Sequence, residues 1–230
     1  MKLNSYFYRA RLGPALLTSI PGLIFINKIV IPSLGPGLNE ILVVLPWITH
    51  WGLSFALLFL LVQINRVIAK EIFQRLYFKE EKYMPTTNFL LRKDTFFDEQ
   101  IKDRIRNKIT NQFQITIPDE SSEVANEKKS RNIIVSAVSQ IRISLKDNQM
   151  LFRHNIEYGF IRNSLGGSLL ALIFSVLIFF YGLNNQDAGL INGGILLSVI
   201  YLIPILLSRI LIRKYGRYYA KILYEQFLSI

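Results

Sequence analysis

Cysteine is absent from this 230-residue chain, and histidine occurs only at His50 and His154. The lack of cysteine excludes disulfide frameworks, thiol nucleophiles and thiolate zinc sites. The sequence also lacks a Walker P-loop and the motifs G-x-G-x-x-G, H-E-x-x-H and G-x-S-x-G. His154 and Glu157 have helical i, i+3 spacing but no third catalytic partner. We therefore expect a protein that is not an enzyme, with no catalytic residue, metal or cofactor.

Acidic residues are scarce, with 16 Asp and Glu against 27 Lys and Arg, which gives a formal net charge of +11. The chain is nevertheless 51% hydrophobic, with a mean hydropathy of +0.30. A soluble nucleic-acid-binding protein of this charge would be hydrophilic on average, so the apolar and basic residues must be segregated along the chain.

Four apolar stretches are about as long as a helix that crosses a bilayer, which needs about 20 residues. Three of them, residues 41–64, 163–186 and 188–208, contain no charged residue. The first, residues 14–31, is weaker because it carries Lys28 and is interrupted by Pro21-Gly22, so it could be a kinked span or the core of a signal peptide. The lack of a small-residue cleavage site after it favours a retained span. Residues 65–163 hold eighteen Lys and Arg, whereas the links 32–40 and 184–189 hold none. The positive-inside rule therefore places both termini and the central region in the cytoplasm.

These patterns predict an α-helical integral membrane protein with four transmembrane helices. Its parts are an N-terminal hairpin (1–64), a basic, mainly helical cytoplasmic domain (65–163), a C-terminal hairpin (164–208) and a basic, aromatic tail helix (209–230).

Local signals predict the course of the cytoplasmic domain. The second span continues as a helix until Pro85 begins a turn, and Thr95 with Asp98 resembles a capping box that starts the next helix. We expect residues 119–130 to form a mobile connection. The apolar residues of 133–145 favour a buried helix, although a strand would also suit them.

Basic residues of this domain are our candidates for contact with the phosphates of a ligand. They are Arg92, Lys93, Arg104, Arg106, Arg142, Arg153 and Arg162. Aromatic residues such as Phe96 and Phe152 lie among them and could stack on bases, as in single-strand nucleic-acid sites. The alternative is that the cations follow only the positive-inside rule or bind anionic lipids, and that the aromatic residues form a core.

Asn27, Thr49 and His50 are polar residues within apolar stretches, where such groups are costly and often functional. We expect them to line a water-filled pathway, with a hydrogen-bonded histidine between helices as the alternative for His50. Gly189 and Gly193 form a G-x-x-x-G pair at the start of the fourth span, with Gly194 beside it, and Gly166-Gly167-Ser168 opens the third span. These small residues favour close helix packing within or between chains.

Three segments carry a resemblance to a known family. Residues 82–94 (KYMPTTNFLLRKD) with 100–104 (QIKDR), 155–166 (NIEYGFIRNSLG) and 215–220 (YGRYYA) resemble small four-span membrane effectors of bacterial anti-phage systems, such as those of the Hailong type. The match covers the cytoplasmic domain and the tail, while the spans agree only as hydrophobic segments.

The resemblance implies a homo-oligomeric channel, which we take as a tetramer, in the bacterial inner membrane. Its implied ligand is a single-stranded DNA oligomer or a nucleotide second messenger made by a cognate nucleotidyltransferase. Loss of the bound oligonucleotide would open the channel, depolarise the cell and arrest growth.

A non-conducting membrane scaffold that docks a cytoplasmic protein explains the charge equally well. A lipid-modifying enzyme or a transporter is disfavoured because the acid, base and nucleophile constellations are missing.

Overall fold

The computed structural model describes residues 2–33 and 46–230, and within them the side chains of residues 5–33 and 55–230. All regular structure in these ranges is helical. Helix α1 (2–33) includes π-helical turns at Tyr8–Leu12 and Ile26–Val30, and helix α2 consists of Pro46–Ile68 and the π-helical turn Ala69–Gln74. The remaining helices are α3 (Arg75–Phe78), α4 (Pro85–Asn88), α5 (Glu99–Phe113), α6 (Glu120–Ala125), α7 (Glu127–Ser144), α8 (Gln149–Asn184), α9 (Ala188–Leu206) and α10 (Ser208–Ser229), with a 3₁₀ turn at Glu81–Tyr83.

The chain divides into two compact units. The first unit comprises Met1–Gln74 and Gly159–Leu211, and the second comprises Arg75–Tyr158 and Ile212–Ile230. The second unit holds most of the Lys and Arg residues of the chain.

Three helices are long and apolar enough to cross a membrane, namely Ser5–Ser33, Gln149–Asn184 and Ala188–Leu206. They correspond to the first, third and fourth predicted spans. The predicted second span, 41–64, begins at residues that lie outside the described ranges, and its helix α2 begins at Pro46. Three apolar helices are consistent with a membrane protein, whereas four spans are not shown.

Glycines at the start of the third predicted span allow close helix packing in the first unit. A Cβ atom added to Gly166 would collide with the carbonyl oxygen of Asn65 and lie 2.8 Å from the amide nitrogen of Ala69. A Cβ atom added to Gly167 would collide with Thr18 Oγ1. Asn65 Nδ2 donates to Thr18 Oγ1 at 3.0 Å, so buried polar groups of α1 and α2 meet beside the glycines of α8. Only glycine leaves room for this approach.

In the hairpin of α8 and α9 the close contacts lie at Gly194, the glycine next to the G-x-x-x-G pair, and at Gly182. A Cβ atom on Gly194 would lie 2.7 Å from the Phe179 amide nitrogen, and one on Gly182 would lie 2.8 Å from the Ile191 amide nitrogen. An added Cβ at Gly193 meets no atom of the described chain within 4 Å. The close contact therefore falls one residue beyond the pair, because the face that α9 turns to α8 carries Gly194.

The second unit has an apolar core built from α5, α7 and α10. Its fully buried members include Ile105 and Ile109 of α5, Ile134 and Ile141 of α7, and Tyr224 of α10. The apolar residues of 133–145 thus form a helix, as we expected, and the strand alternative does not apply. The tail, which we treated as a separate segment, contributes to the same core.

Two local expectations differ from the structure. Helix α5 begins at Glu99 with Asp98 as its N-cap residue, but no side chain makes the capping hydrogen bond. The prediction of a mobile connection at residues 119–130 is wrong, because this segment contains α6 and the start of α7. The reason is local capping, because the Asp119 carboxylate accepts from the Ser122 amide at 2.9 Å. Hydrogen bonds from the side chain and the backbone amide of Ser122, and from the side chain of Ser121, lower the pKa of Asp119 to about 2.

Candidate anion-binding surfaces of the second unit

Residues 82–94, which carry the first part of the family resemblance, are held in place by buried cations. Lys102 is 1% exposed. Its Nζ donates to the carbonyl oxygens of Arg92, at 3.0 Å, and Asp94, and it pairs with Glu99 Oε1 at 2.7 Å. The hydrogen bond from Lys102, with a further one from Arg92, lowers the pKa of Glu99 from its ordinary value of 4.5.

Arg106 forms a second anchor. It is 6% exposed, as is its partner Glu123, and the two join through Nη2 and Oε1 at 2.7 Å. Arg106 also donates to the carbonyl oxygens of Pro118, at 2.6 Å, and Leu90. The other oxygen of Glu123 accepts from the backbone amide of Arg92 at 2.9 Å. The Glu123 carboxylate and the Arg106 guanidinium therefore stabilise the position of residues 82–94.

Arg131 and Tyr224 complete these anchors. The Nη1 atom of Arg131 donates to the Lys82 carbonyl and to Asn88 Oδ1, both at 2.7 Å. The buried hydroxyl of Tyr224 donates to the Thr86 carbonyl. Buried side chains thus donate to five backbone carbonyls of this segment, those of Lys82, Thr86, Leu90, Arg92 and Asp94.

Two adjacent predicted phosphate contacts, Arg92 and Lys93, are paired with carboxylates. Arg92 Nη1 lies 2.5 Å from Glu99 and Nη2 lies 2.6 Å from Asp103, while Lys93 lies 2.9 Å from Glu127. Such partly exposed pairs contribute little to stability, because water screens the attraction between their charges. They can exchange partners more readily than the buried pair of Arg106 and Glu123.

Arg104 and Arg153 are exposed, and neither has an ion pair or hydrogen bond within the described ranges. Arg162 belongs to the first unit, where its Nη1 donates to Gln74 Oε1 at 3.1 Å. Six of the seven predicted cations therefore belong to the second unit, and Arg162 belongs to the first.

The predicted pathway residues lie in the first unit. Asn27 is exposed, and its Nδ2 atom donates to the Leu23 carbonyl of its own helix at 2.9 Å. The backbone of Thr49 and His50 lies in helix α2, and their side chains lie outside the described residues.

An open groove runs along the exposed face of α5. We call it the α5 groove. It has a volume of about 550 Å³ and is lined by Arg104, Asn107, Lys108, Asn111, Gln112 and Leu228.

The α5 groove combines free cations with side-chain amides. Residues 104, 107, 108 and 111 share one face of the helix because they are three or four positions apart. The Nζ atom of Lys108 lies 5.3 Å from the centre of the Phe227 ring, which positions its aliphatic stem. Lys and Arg contact phosphates, and carboxamides hydrogen-bond to base edges, so the surface suits a nucleic-acid strand.

A smaller pocket lies where α7 ends and α8 begins. We call it the α7–α8 pocket. Its volume is about 220 Å³, and its lining residues are Arg142, Leu145, Lys146, Asn148, Leu151, Phe152, Asn155 and Tyr219. Arg142 Nη1 lies 2.8 Å from Glu81 Oε1, while its buried Nε atom has no hydrogen-bond partner in the described structure.

Sequence reasoning did not identify the amides of the α5 groove or Lys146 and Asn155 of the α7–α8 pocket. The polar spacing of α5 could have indicated the groove. The pocket had no such signal, because Tyr219 reaches residues 142–155 only through the tertiary fold.

The described residues contain no group of three or more His, Asp or Glu side chains that could hold a metal ion. His154 Nδ1 lies 3.1 Å from Glu157 Oε2, as their spacing indicates.

Comparison with known proteins adds no relative: no protein-family model, curated protein or solved structure matches this chain.

Proposed function

We propose that this protein is a membrane effector of bacterial anti-phage defence that forms an oligomeric ion channel or pore. An oligonucleotide bound to the second unit gates the channel, and opening depolarises the inner membrane and arrests growth. The defence setting, the oligomer and the nucleotidyltransferase partner rest on the family resemblance of residues 82–94, 100–104, 155–166 and 215–220. The three apolar helices support the membrane location. The proposal that both termini lie in the cytoplasm rests on four spans and on the distribution of Lys and Arg along the sequence.

The α5 groove is the observation that carries the proposal. Arg104 is exposed and without a partner among the described residues, and Lys108 has no carboxylate within ion-pair distance there. Neither cation is needed to neutralise an acidic neighbour. Both are therefore available to the phosphates of a strand, with Asn107, Asn111 and Gln112 beside them.

The gating step requires that the ligand bind the closed and open states with different affinities. Helix α8 gives residues 149–158 to the second unit and 159–184 to the first, so one continuous helix takes part in both units. A conformational change that a ligand causes in the second unit can therefore be transmitted to the apolar part of α8. Only 11% of the apolar window of α9 is buried in the chain, which leaves that helix to lipid or to other subunits.

The test is the conductance of the purified full chain in planar bilayers, with and without a short single-stranded DNA. A current that the oligonucleotide suppresses supports the proposal, and a current that it evokes supports the same channel with opposite gating. The variant Arg104→Gln/Lys108→Gln should need more oligonucleotide for the same effect. The control Lys129→Gln removes an exposed cation outside the groove and should behave like the unmodified protein.

Salt dependence provides a second readout of the same groove. Each phosphate contact in a single-strand complex contributes about 0.7 to the slope of log affinity against log salt. The double variant should therefore reduce that slope by about 1.4. An unchanged slope would place the oligonucleotide elsewhere on the protein.

A non-conducting membrane scaffold is the second candidate. It is favoured by the pairing of several predicted contacts, namely Arg92, Lys93, Arg106 and Arg142, with carboxylates of the chain itself. Absence of current in well-assembled protein, with or without oligonucleotide, would favour this candidate over the channel.

A further inference from the structure

The α7–α8 pocket shares no residue with the α5 groove, and the proposed function does not use it. Its volume of about 220 Å³ is below the range of about 300–1,000 Å³ that is typical of small-molecule sites. The pocket therefore suits a compact ligand and has no room for several nucleotides.

The lining of this pocket combines three kinds of chemistry. Arg142 and Lys146 supply positive charge, and Lys146 has no ion pair within the described ranges. Phe152 and Tyr219 supply aromatic surface, and Asn155 supplies a carboxamide. A ligand that satisfies all three carries an anionic group, a planar ring and polar ring edges.

Arg142 also shows why the anion would be a phosphate. Its Nε donor is buried without an acceptor, although its Nη1 atom pairs with Glu81. An unmade hydrogen bond at a buried donor is costly. A phosphate offers several oxygens and can accept two parallel hydrogen bonds from a guanidinium. The Glu81 carboxylate is 56% exposed, so it can leave the pair for water.

We propose that the α7–α8 pocket binds a nucleoside monophosphate. The phosphate contacts Arg142 and Lys146, replacing Glu81, and the base lies against Phe152 and Tyr219. Glu81 belongs to the 3₁₀ turn at Glu81–Tyr83, so binding frees this turn from its ion pair with α7. The site is distinct from the groove and does not depend on the proposed channel function.

The test is calorimetric titration of the full chain in detergent micelles with adenosine 5′-monophosphate, adenosine and inorganic phosphate. The monophosphate should bind saturably, and each of the two fragments should bind at least about tenfold more weakly, since each loses one class of contact. Equal affinity for inorganic phosphate and the monophosphate would overturn the assignment of the aromatic surface. Absence of monophosphate binding would overturn the proposal.

Substitutions should change the affinity in opposite directions. Lys146→Gln and Phe152→Leu should weaken monophosphate binding, while Glu81→Gln should strengthen it about two- to fivefold, because the competing partner of Arg142 is lost. A role of Glu81 in stability alone would not produce tighter binding. Weaker or unchanged binding in Glu81→Gln would refute the exchange, and Lys129→Gln serves as the charge-matched control.

The two proposals fail separately. If the monophosphate binds as expected while oligonucleotide has no effect on current, only the proposed function is refuted. If oligonucleotide controls the current and the monophosphate does not bind, only this inference is refuted.

Discussion

Replacement of Arg106 by methionine tests whether this residue anchors the fold or contacts a ligand. The change keeps most of the side-chain volume and removes the charge from a pair whose members are each 6% exposed. Glu123 would then be a buried carboxylate without its cation, and the carbonyl oxygens of Leu90 and Pro118 would lose donors. Breaking such a buried pair typically costs about 3–5 kcal/mol.

Hydrogen exchange measured by mass spectrometry on the full chain in micelles is the appropriate assay. A loss of about 3–5 kcal/mol corresponds to a fall in amide protection of about two to nearly four orders of magnitude. The fall should be concentrated in residues 85–125, with little change in 163–206. Arg104→Met is the matched control, because an exposed residue without partners typically changes stability by no more than about 0.5 kcal/mol. The double variant Arg106→Met/Glu123→Met should recover much of the loss, since it buries no unpaired charge.

The opposite outcome would refute this reasoning. If Arg106→Met leaves protection unchanged but weakens oligonucleotide binding, Arg106 is a ligand contact, as the sequence hypothesis has it. Destabilisation by Arg104→Met as large as that of Arg106→Met would equally contradict the buried-pair explanation.

Three further predictions concern packing, a buried hydroxyl and pH. Gly166→Ala should lower the thermal unfolding temperature in micelles because the methyl group collides with the Asn65 carbonyl, whereas Gly193→Ala, with open space around it, should be neutral or slightly stabilising. Tyr224→Phe leaves a carbonyl of the anchored segment without its donor and should cost about 1–3 kcal/mol in urea unfolding. Because the pKa of Glu99 is lowered in the folded state, its contribution to stability is present above pH 4.5 and is lost as the pH falls through the lowered value. Unfolding midpoints measured from pH 7 to pH 3 should therefore fall on the acid side, and Glu99→Gln should reduce this fall.

Helix formation and the separation into an apolar and a basic unit could be predicted from the sequence. Apolar residues at helical spacing make Ile105 and Ile109 face a core whatever the partner is, because a helix without a buried face is unstable. The missing prediction was α6, since the polar composition of residues 119–130 conceals an N-cap and one buried carboxylate.

The sequence alone also determined the length and hydropathy of the three described apolar helices and the excess of cations. Which cations are free was determined only by the tertiary structure. Arg104 and Arg106 are two positions apart, so a helix directs them to nearly opposite faces. Burial then requires Arg106 to find Glu123 and carbonyl acceptors, while Arg104 stays exposed in the α5 groove. No local pattern distinguishes two arginines on one helix, because their roles depend on residues brought near by the fold.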